Sequence, residues 1–286
     1  MVAISAGANR VAAASSDKNL TVWDLAGGKL LRTIPLETAE IVFMAVSPDG
    51  RRIFTGQHNG KIVVWDADSG KALLQLPFTH YASAASFSAD GRLLAIAPAG
   101  QPVQIFEVAS FRKLSETPFV IGGVESIAFS RDGALLATAD ADTAVRVYDS
   151  HTGKLISENR DFLLEPLGLD FTADGKQVIA AGGDKQTSFI EASSGKLVRR
   201  LAKTDQPIFF SGLRVSPDGR QVGLVFMKAE NMMQAAPVAT WEVSSGDKKS
   251  EWLPPNLAFG LDWTRDGHLV AFGMQTPDTL VIWQDR

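Results

Sequence analysis

The chain has 286 residues and a formal net charge of −4, from 28 lysines and arginines against 32 aspartates and glutamates. Hydrophobic residues make up 45% of it and charged residues 21%, a balance typical of folded globular proteins rather than of disordered ones. The mild acidity provides no basic footprint for nucleic acid or for an anionic membrane, so neither is expected as a partner.

The sequence also excludes several kinds of chemical site and bears on the cell compartment of the protein. It contains no cysteine, which excludes disulfides, thiolate-bound metals and cysteine nucleophiles. No apolar run reaches the ~18 residues of a membrane-spanning helix, and the first residues, MVAISAGANR, do not have the pattern of a signal peptide. We therefore expect a cytoplasmic protein; the alternative is a periplasmic or secreted one whose signal peptide has been removed.

An Asp-Gly pair recurs along the chain at intervals of 41 to 48 residues, each time two positions after a serine or threonine. An aromatic–acid pair follows most of these, as in Trp65-Asp66 and Tyr148-Asp149. Trp23-Asp24 shows that a further unit begins near residue 1, which makes seven units. The six repeated aspartates are Asp49, Asp90, Asp132, Asp174, Asp218 and Asp266.

Within each unit the hydrophobic period is two residues, which indicates β-strands. The second unit shows four strand patterns in order, FMAVS, RIFTG, KIVVWD and ALLQL, separated by turn sequences such as SPDG. Four short strands in each ~40-residue unit predict an all-β, seven-bladed β-propeller of four-stranded antiparallel blades in one domain. The predicted blades are 1–36, 41–78, 82–118, 124–160, 167–202, 211–254 and 258–286.

The segments TVWDLAGGK, IVVWDADSGK, VRVYDSHTGK and VIWQD resemble the WD-repeat family, in the style of its bacterial members. The resemblance covers all seven units and implies a fold that mostly presents partner-binding surfaces. The aspartate that the family places before the third strand is present as Asp17, Asp142 and Asp184, and is Asn59 in the second unit. Because the family's Gly-His pair is absent, we expect the blades to depend on packing more than on the family's hydrogen-bonded tetrad.

The last unit ends just after its third strand pattern, VIWQD, so no sequence follows to form its outermost strand. The first strand pattern, MVAIS, aligns with an innermost strand and does not replace it. We expect either a three-stranded last blade or a domain excised from a longer protein, and we favour excision because an unpaired edge invites another chain.

Three adjacent units place charged residues toward the central axis at equivalent innermost positions: Asp170, Arg214 and Asp262. One interpretation is a channel site for a charged ligand. The favoured interpretation is an ion-pair cluster between blades, because an arginine flanked by two carboxylates is already paired. The other four units carry small neutral residues at this position, namely Ala3, Ala45, Ser86 and Ala128.

Histidines offer a weak candidate metal site. His58 and His80 lie in loops that open on one face of the predicted ring, near Glu37 and Glu40. Zinc or iron accepts such ligands, but no short motif supports a site, so ordinary loop histidines are favoured. No nucleophile elbow, zinc-protease motif or phosphate loop is present, and we predict no catalytic residue, metal or cofactor.

The same face, called the top face, carries apolar loop residues. They lie in DFLLEP and PIFF, the loops that enter the fifth and sixth units, and at the tip of FMKAENMMQAAP, a long loop of the sixth unit. Aromatic and methionine side chains suit adaptable partner-binding surfaces, although Phe162, Leu164 and Phe209 could instead fold inward and cover the blade ends. The candidate contact residues are Phe162, Leu163, Phe209, Phe210, Met232 and Met233.

These patterns favour a non-enzymatic platform that binds a protein partner through the top face. One alternative is a propeller enzyme or small-ligand receptor, similar to lactonases or quinoproteins, that uses the central channel. Another is a structural module whose partners include further domains of a longer parent chain.

Overall fold

A computed structural model describes residues 1–78, 80–183, 186–201, 208–228, 237–255, 258–276 and 279–284. The described residues form 27 β-strands and one short 3₁₀ turn, Ala6–Ala8. The strands group into seven antiparallel sheets, numbered here in chain order, and within each sheet consecutive strands are neighbours.

The strand bounds are as follows. Sheet 1 contains β1 Val2–Ser5, β2 Arg10–Ala14, β3 Asn19–Asp24 and β4 Leu30–Pro35. Sheet 2 contains β5 Ile41–Val46, β6 Arg52–Gln57, β7 Lys61–Asp66 and β8 Ala72–Pro77. Sheet 3 contains β9 Ala82–Phe87, β10 Leu93–Pro98, β11 Gln104–Glu107 and β12 Lys113–Glu116. Sheet 4 contains β13 Val124–Phe129, β14 Leu135–Asp140, β15 Val145–Asp149 and β16 Leu155–Asn159. Sheet 5 contains β17 Pro166–Phe171, β18 Gln177–Gly182, β19 Thr187–Glu191 and β20 Leu197–Arg200. Sheet 6 contains β21 Ile208–Val215, β22 Gln221–Lys228, β23 Val238–Glu242 and β24 Lys248–Trp252. Sheet 7 contains β25 Ala258–Trp263, β26 Leu269–Thr276 and β27 Thr279–Gln284.

The sheets form a closed ring around one axis. The first strand of each sheet contacts the first strand of the next from β1 round to β25, and β25 contacts the 3₁₀ turn that follows β1. The fold is therefore a seven-bladed β-propeller, as the repeats predicted. Its last sheet has three strands among the described residues, which matches the expected lack of an outermost strand.

The core lies between neighbouring sheets. All six residues of β10 are buried, because a strand in the middle of a sheet is covered by a neighbouring sheet on each side. The third-strand aromatics Phe106, Tyr148 and Trp241 are buried in these layers. Tyr148, for example, packs in the cluster shared by sheets 3 and 4.

The up-and-down topology separates the loops onto two faces. The loops that enter each sheet and the loops between its second and third strands lie on the top face, and backbone bonds join them, as from Phe78 N to Gly60 O at 3.1 Å. The other turns form the bottom face. There the repeated Ser-x-Asp-Gly turn is fixed by its own side chains: Asp49 Oδ1 accepts from Ser47 Oγ at 2.5 Å and from Arg51 N at 3.0 Å.

The segment PIFF differs from its expected loop conformation. Residues 208–210 begin β21, and Phe209 and Phe210 are paired with Met227 and Phe226 on β22. The backbone pairing between the two strands thus continues to Ile208 and Lys228, and each strand of this hairpin has eight residues.

Candidate functional site

The central channel holds a cavity of about 540 Å³ lined by residues from the innermost strands of all seven sheets. Asp170, Arg214 and Asp262 line it together on one side of the ring. Sheets 1 and 2 contribute small residues such as Ala3 and Ala45 to the lining. The equivalent positions therefore do converge on the axis.

The Asp170 carboxylate is held by main-chain donors. Oδ1 accepts from Phe171 N at 2.8 Å and Oδ2 accepts from Val215 N at 2.9 Å, so this side chain links sheets 5 and 6. Burial raises the pKa of Asp170, while the Arg214 charge and the two N–H donors act in the opposite direction. A carboxylate bound in this way has a structural role between the sheets.

Arg214 and Asp262 are likewise tied to nearby backbone. Arg214 Nη1 donates to Leu213 O at 2.8 Å, and Asp262 Oδ1 accepts from Trp263 N at 2.9 Å. Trp263 Nε1 donates to Arg214 O at 3.0 Å and so links sheets 6 and 7. On this side of the channel, the bonds of Asp170 and Trp263 thus cross between sheets.

The candidate metal-binding loops are occupied by other contacts. The His58 ring stacks on Tyr81 with 5.4 Å between centroids, and Glu37 forms a 2.7 Å ion pair with Lys61. Within the described ranges, no group of three or more histidine, aspartate or glutamate side chains is placed to hold a metal ion. His80 is exposed in the loop that precedes β9.

Sheet 4 contains a network of charged side chains that the sequence analysis did not identify, called here the ion cluster: Asp140, Asp142, Arg146, Glu158 and Arg160. Arg146 lies at its centre and donates to Asp140 Oδ2 at 2.5 Å, to Asp142 Oδ2 at 2.6 Å and to Glu158 Oε2 at 2.6 Å. Arg160 completes it with bonds to Asp142 Oδ2 at 3.0 Å and to Glu158 Oε1 at 2.6 Å. Because these residues come from three strands and two loops, only the folded sheet reveals the network.

Within the ion cluster, the pKa values of the carboxylates are shifted in opposite directions. Burial raises the pKa of Asp140, whose side chain is 0% exposed, to about 6, although its bond to Arg146 opposes the shift. Hydrogen bonds from Arg146 lower the pKa of Asp142, and those from Arg160 lower the pKa of Glu158. The cluster thus fixes the top end of sheet 4 with charge-assisted bonds.

In the loop that enters sheet 5, one apolar residue is buried and the two that follow it are exposed. Phe162 is 5% exposed and packs in the core cluster between sheets 4 and 5, so its side chain cannot reach a partner as the contact prediction required. Leu163 is 78% exposed, and Leu164, which could have covered the blade end, is exposed too.

The other candidates are described only in part or not at all. Phe209 and Phe210 have a described backbone in β21, whereas their side chains lie outside the described part of the structure. Met232 and Met233 lie outside the described residues.

The loop that enters sheet 4 exposes large apolar residues that the sequence analysis missed. Ile121 is 79% exposed and Phe119 is 55% exposed. They line a groove of about 250 Å³ together with Asp142, Arg146 and Leu155. The only signal in the sequence was the apolar run PFVI directly before Gly122-Gly123.

Comparisons with known proteins agree with this architecture. The ring of seven antiparallel sheets defines the class of β-propellers. Two segments, residues 28–66 and 120–149, match the family model described as WD domain, G-beta repeat. These matches, within a propeller of seven sheets, support the assignment of the chain to the WD-repeat family.

A search of curated proteins gives no match. Among the described residues, no helix is long and apolar enough to cross a membrane. The WD repeats and the propeller scaffold support a general role as a protein-interaction platform, and WD-repeat proteins are generally non-catalytic scaffolds.

Proposed function

We propose that the protein is a non-enzymatic platform that binds a protein partner through its top face. The observation that carries the proposal is the exposure of large apolar side chains in successive top-face loops: Phe119 and Ile121 before sheet 4, and Leu163 and Leu164 before sheet 5. Neighbouring apolar residues that remain in water are typical of interaction surfaces rather than of closed monomer surfaces.

The loops are held in place before any partner arrives. Thr117 N donates to Val103 O at 3.0 Å, and Gly183 N donates to Glu165 O at 3.0 Å, so both entering loops are bonded to a neighbouring top-face loop. Binding to such loops requires little ordering of the backbone, which preserves affinity.

The channel supports the platform in a different way. Asp170 and Trp263 bond to the backbone of neighbouring sheets and so stabilise the ring that positions the loops. For this reason the interaction platform is preferred to an enzyme or small-ligand receptor in the channel.

The proposal can be tested by affinity capture from an extract of the source cells. A Leu163→Ser/Leu164→Ser variant is compared with wild type and with Leu73→Ser, which alters an exposed leucine on β8, away from the top face. We expect a stoichiometric protein that wild type and Leu73→Ser capture equally and the double variant captures at least about tenfold less. Equal capture by all three proteins would contradict the proposal.

A further inference from the structure

The negative charge of the chain is concentrated beside the exposed apolar loops. Three segments, residues 117–125, 140–146 and 158–166, meet at the top of sheet 4 and are called here the acidic sector. They contain six carboxylates and two arginines, a formal charge of −4, which equals the net charge of the whole chain. The rest of the molecule is therefore neutral overall, so this sector carries the excess of negative charge.

Asp142 connects the two apolar loops of the sector. Its side chain lines the groove beside Phe119 and Ile121, and Arg160, at the start of the next loop, donates to Asp142 Oδ2 at 3.0 Å. The ion cluster thus forms a fixed floor between the apolar residues on either side. Leu163 follows Arg160 by three residues and is exposed.

Not every carboxylate of the sector is used inside the ion cluster. Glu125 and Glu165 are exposed and form no ion pair with any described residue. Glu125 is the extra residue of a β-bulge, because the pairing of β13 with β14 shifts between Val124 and Ser126. A bulge turns a side chain away from the regular ladder, which leaves this carboxylate available at the top face.

We propose that the acidic sector binds a protein segment that combines apolar anchor residues with lysine or arginine. The anchors would occupy the groove at Phe119 and Ile121 and cover Leu163, while the cations would pair with Glu125 and Glu165. Apolar anchors surrounded by complementary charge are the usual composition of an interaction hot spot and its rim. This inference rests on the proposed platform function and adds the chemistry of the partner.

Two labelled peptides of 12 residues with identical leucine and phenylalanine content, one with four lysines and the other with four glutamates, provide the probe. Fluorescence anisotropy with the full chain should show the lysine peptide binding at least about tenfold more tightly at low salt. Its Kd should weaken several-fold as salt rises, because the interaction is between exposed charges. Equal binding of both peptides, or no binding of the lysine peptide, would overturn the proposal.

Variants locate the binding. Phe119→Ser/Ile121→Ser should lower affinity for the lysine peptide about tenfold, and Glu125→Gln/Glu165→Gln should lower it several-fold and flatten the salt dependence. The matched controls are Leu73→Ser and Asp247→Asn; Asp247 is an exposed acid in a bottom-face turn of sheet 6. Both controls should leave the affinity for the lysine peptide and its salt dependence unchanged. An equal loss of affinity in the control variants would contradict the placement of the binding site in the acidic sector.

The same variants separate this inference from the proposed function. If a captured cellular protein is lost with Phe119→Ser/Ile121→Ser but retained fully with Glu125→Gln/Glu165→Gln, the platform stands and the cationic partner is wrong. If every top-face variant captures as wild type does, the platform itself is wrong.

Discussion

The Asp170 carboxylate accepts a hydrogen bond from the Val215 N–H at 2.9 Å, across the boundary between sheets 5 and 6. Each β-ladder is completed within its own sheet, so neighbouring blades are joined by side-chain packing and by side chains that bond across the boundary, as Ser157 Oγ does to Ala192 O at 2.6 Å. A half-buried carboxylate that accepts from the next blade therefore adds a directional bond to this boundary, which Arg199 also crosses by donating to Val243 O.

Replacement of Asp170 by alanine should lower the free energy of unfolding by about 1–3 kcal/mol, because two backbone donors lose their acceptor. Asn should cost less, because its side-chain oxygen still accepts from one of them. Urea unfolding followed by tryptophan fluorescence measures the change. A variant Asp170→Ala as stable as wild type would show that the bond contributes nothing.

Gly153 and Gly100 form a matched pair of left-handed glycines, with φ of +71° and +69°. A Cβ at Gly153 would overlap the carbonyl oxygen of Glu116 in the neighbouring sheet, whereas a Cβ at Gly100 would meet nothing within 4 Å. Gly100→Ala should therefore cost only the backbone strain, about 1 kcal/mol, and Gly153→Ala about 3 kcal/mol or more. Urea unfolding midpoints measured side by side give the difference, and equal midpoints would refute the close contact between sheets 3 and 4.

Asp140 should make stability depend on pH in a recognisable direction. Its pKa in the folded protein is about 6, above the ordinary 3.8, so the folded state holds the proton more tightly than the unfolded chain does. The free energy of unfolding of wild type, relative to Asp140→Asn, should fall as pH rises from about 4 to about 6, by up to ~1.4 kcal/mol per pH unit, and then level off. Urea unfolding of both proteins at several pH values checks this, and a difference that rises with pH would contradict it.

The second blade retains one bond between its second and third strands that the sequence analysis did not anticipate. Trp65 Nε1 donates to Thr55 Oγ1 at 2.9 Å. Thr55→Val should lower the free energy of unfolding by about 1 kcal/mol in wild type, because the indole N–H loses its acceptor, but by less in a Trp65→Phe background. A double-mutant cycle from urea unfolding measures the coupling, and strictly additive effects would show that the bond is not stabilising.

The fold could be predicted because its signals are local and repeated. The Ser-x-Asp-Gly turn fixes a tight connection through its own side chains, as Ser47 and Asp49 do, and its recurrence gives the number of sheets. The three strands of the last sheet followed from counting one strand pattern before Asp266 and two after it. The eight-residue strand that begins at Ile208 did not, because its length depends on pairing with β22.

The candidate site could be predicted only in part, because exposure and convergence are properties of the folded chain. Leu163 and Phe162 are adjacent and similarly apolar, yet the first is exposed and the second is buried. Arg146 reaches carboxylates on two other strands and a loop, and no local motif encodes that meeting. The axial positions of Asp170, Arg214 and Asp262 were accessible because the repeat aligns them directly.

The most direct test of the top-face platform is site-specific photo-cross-linking in source cells. A benzophenone side chain is introduced in place of Ile121, in the acidic sector, or in place of Leu73, on β8. The platform predicts one dominant protein adduct from position 121 and none from position 73. Adducts of equal yield from both positions, or an adduct from position 73 alone, would contradict the account.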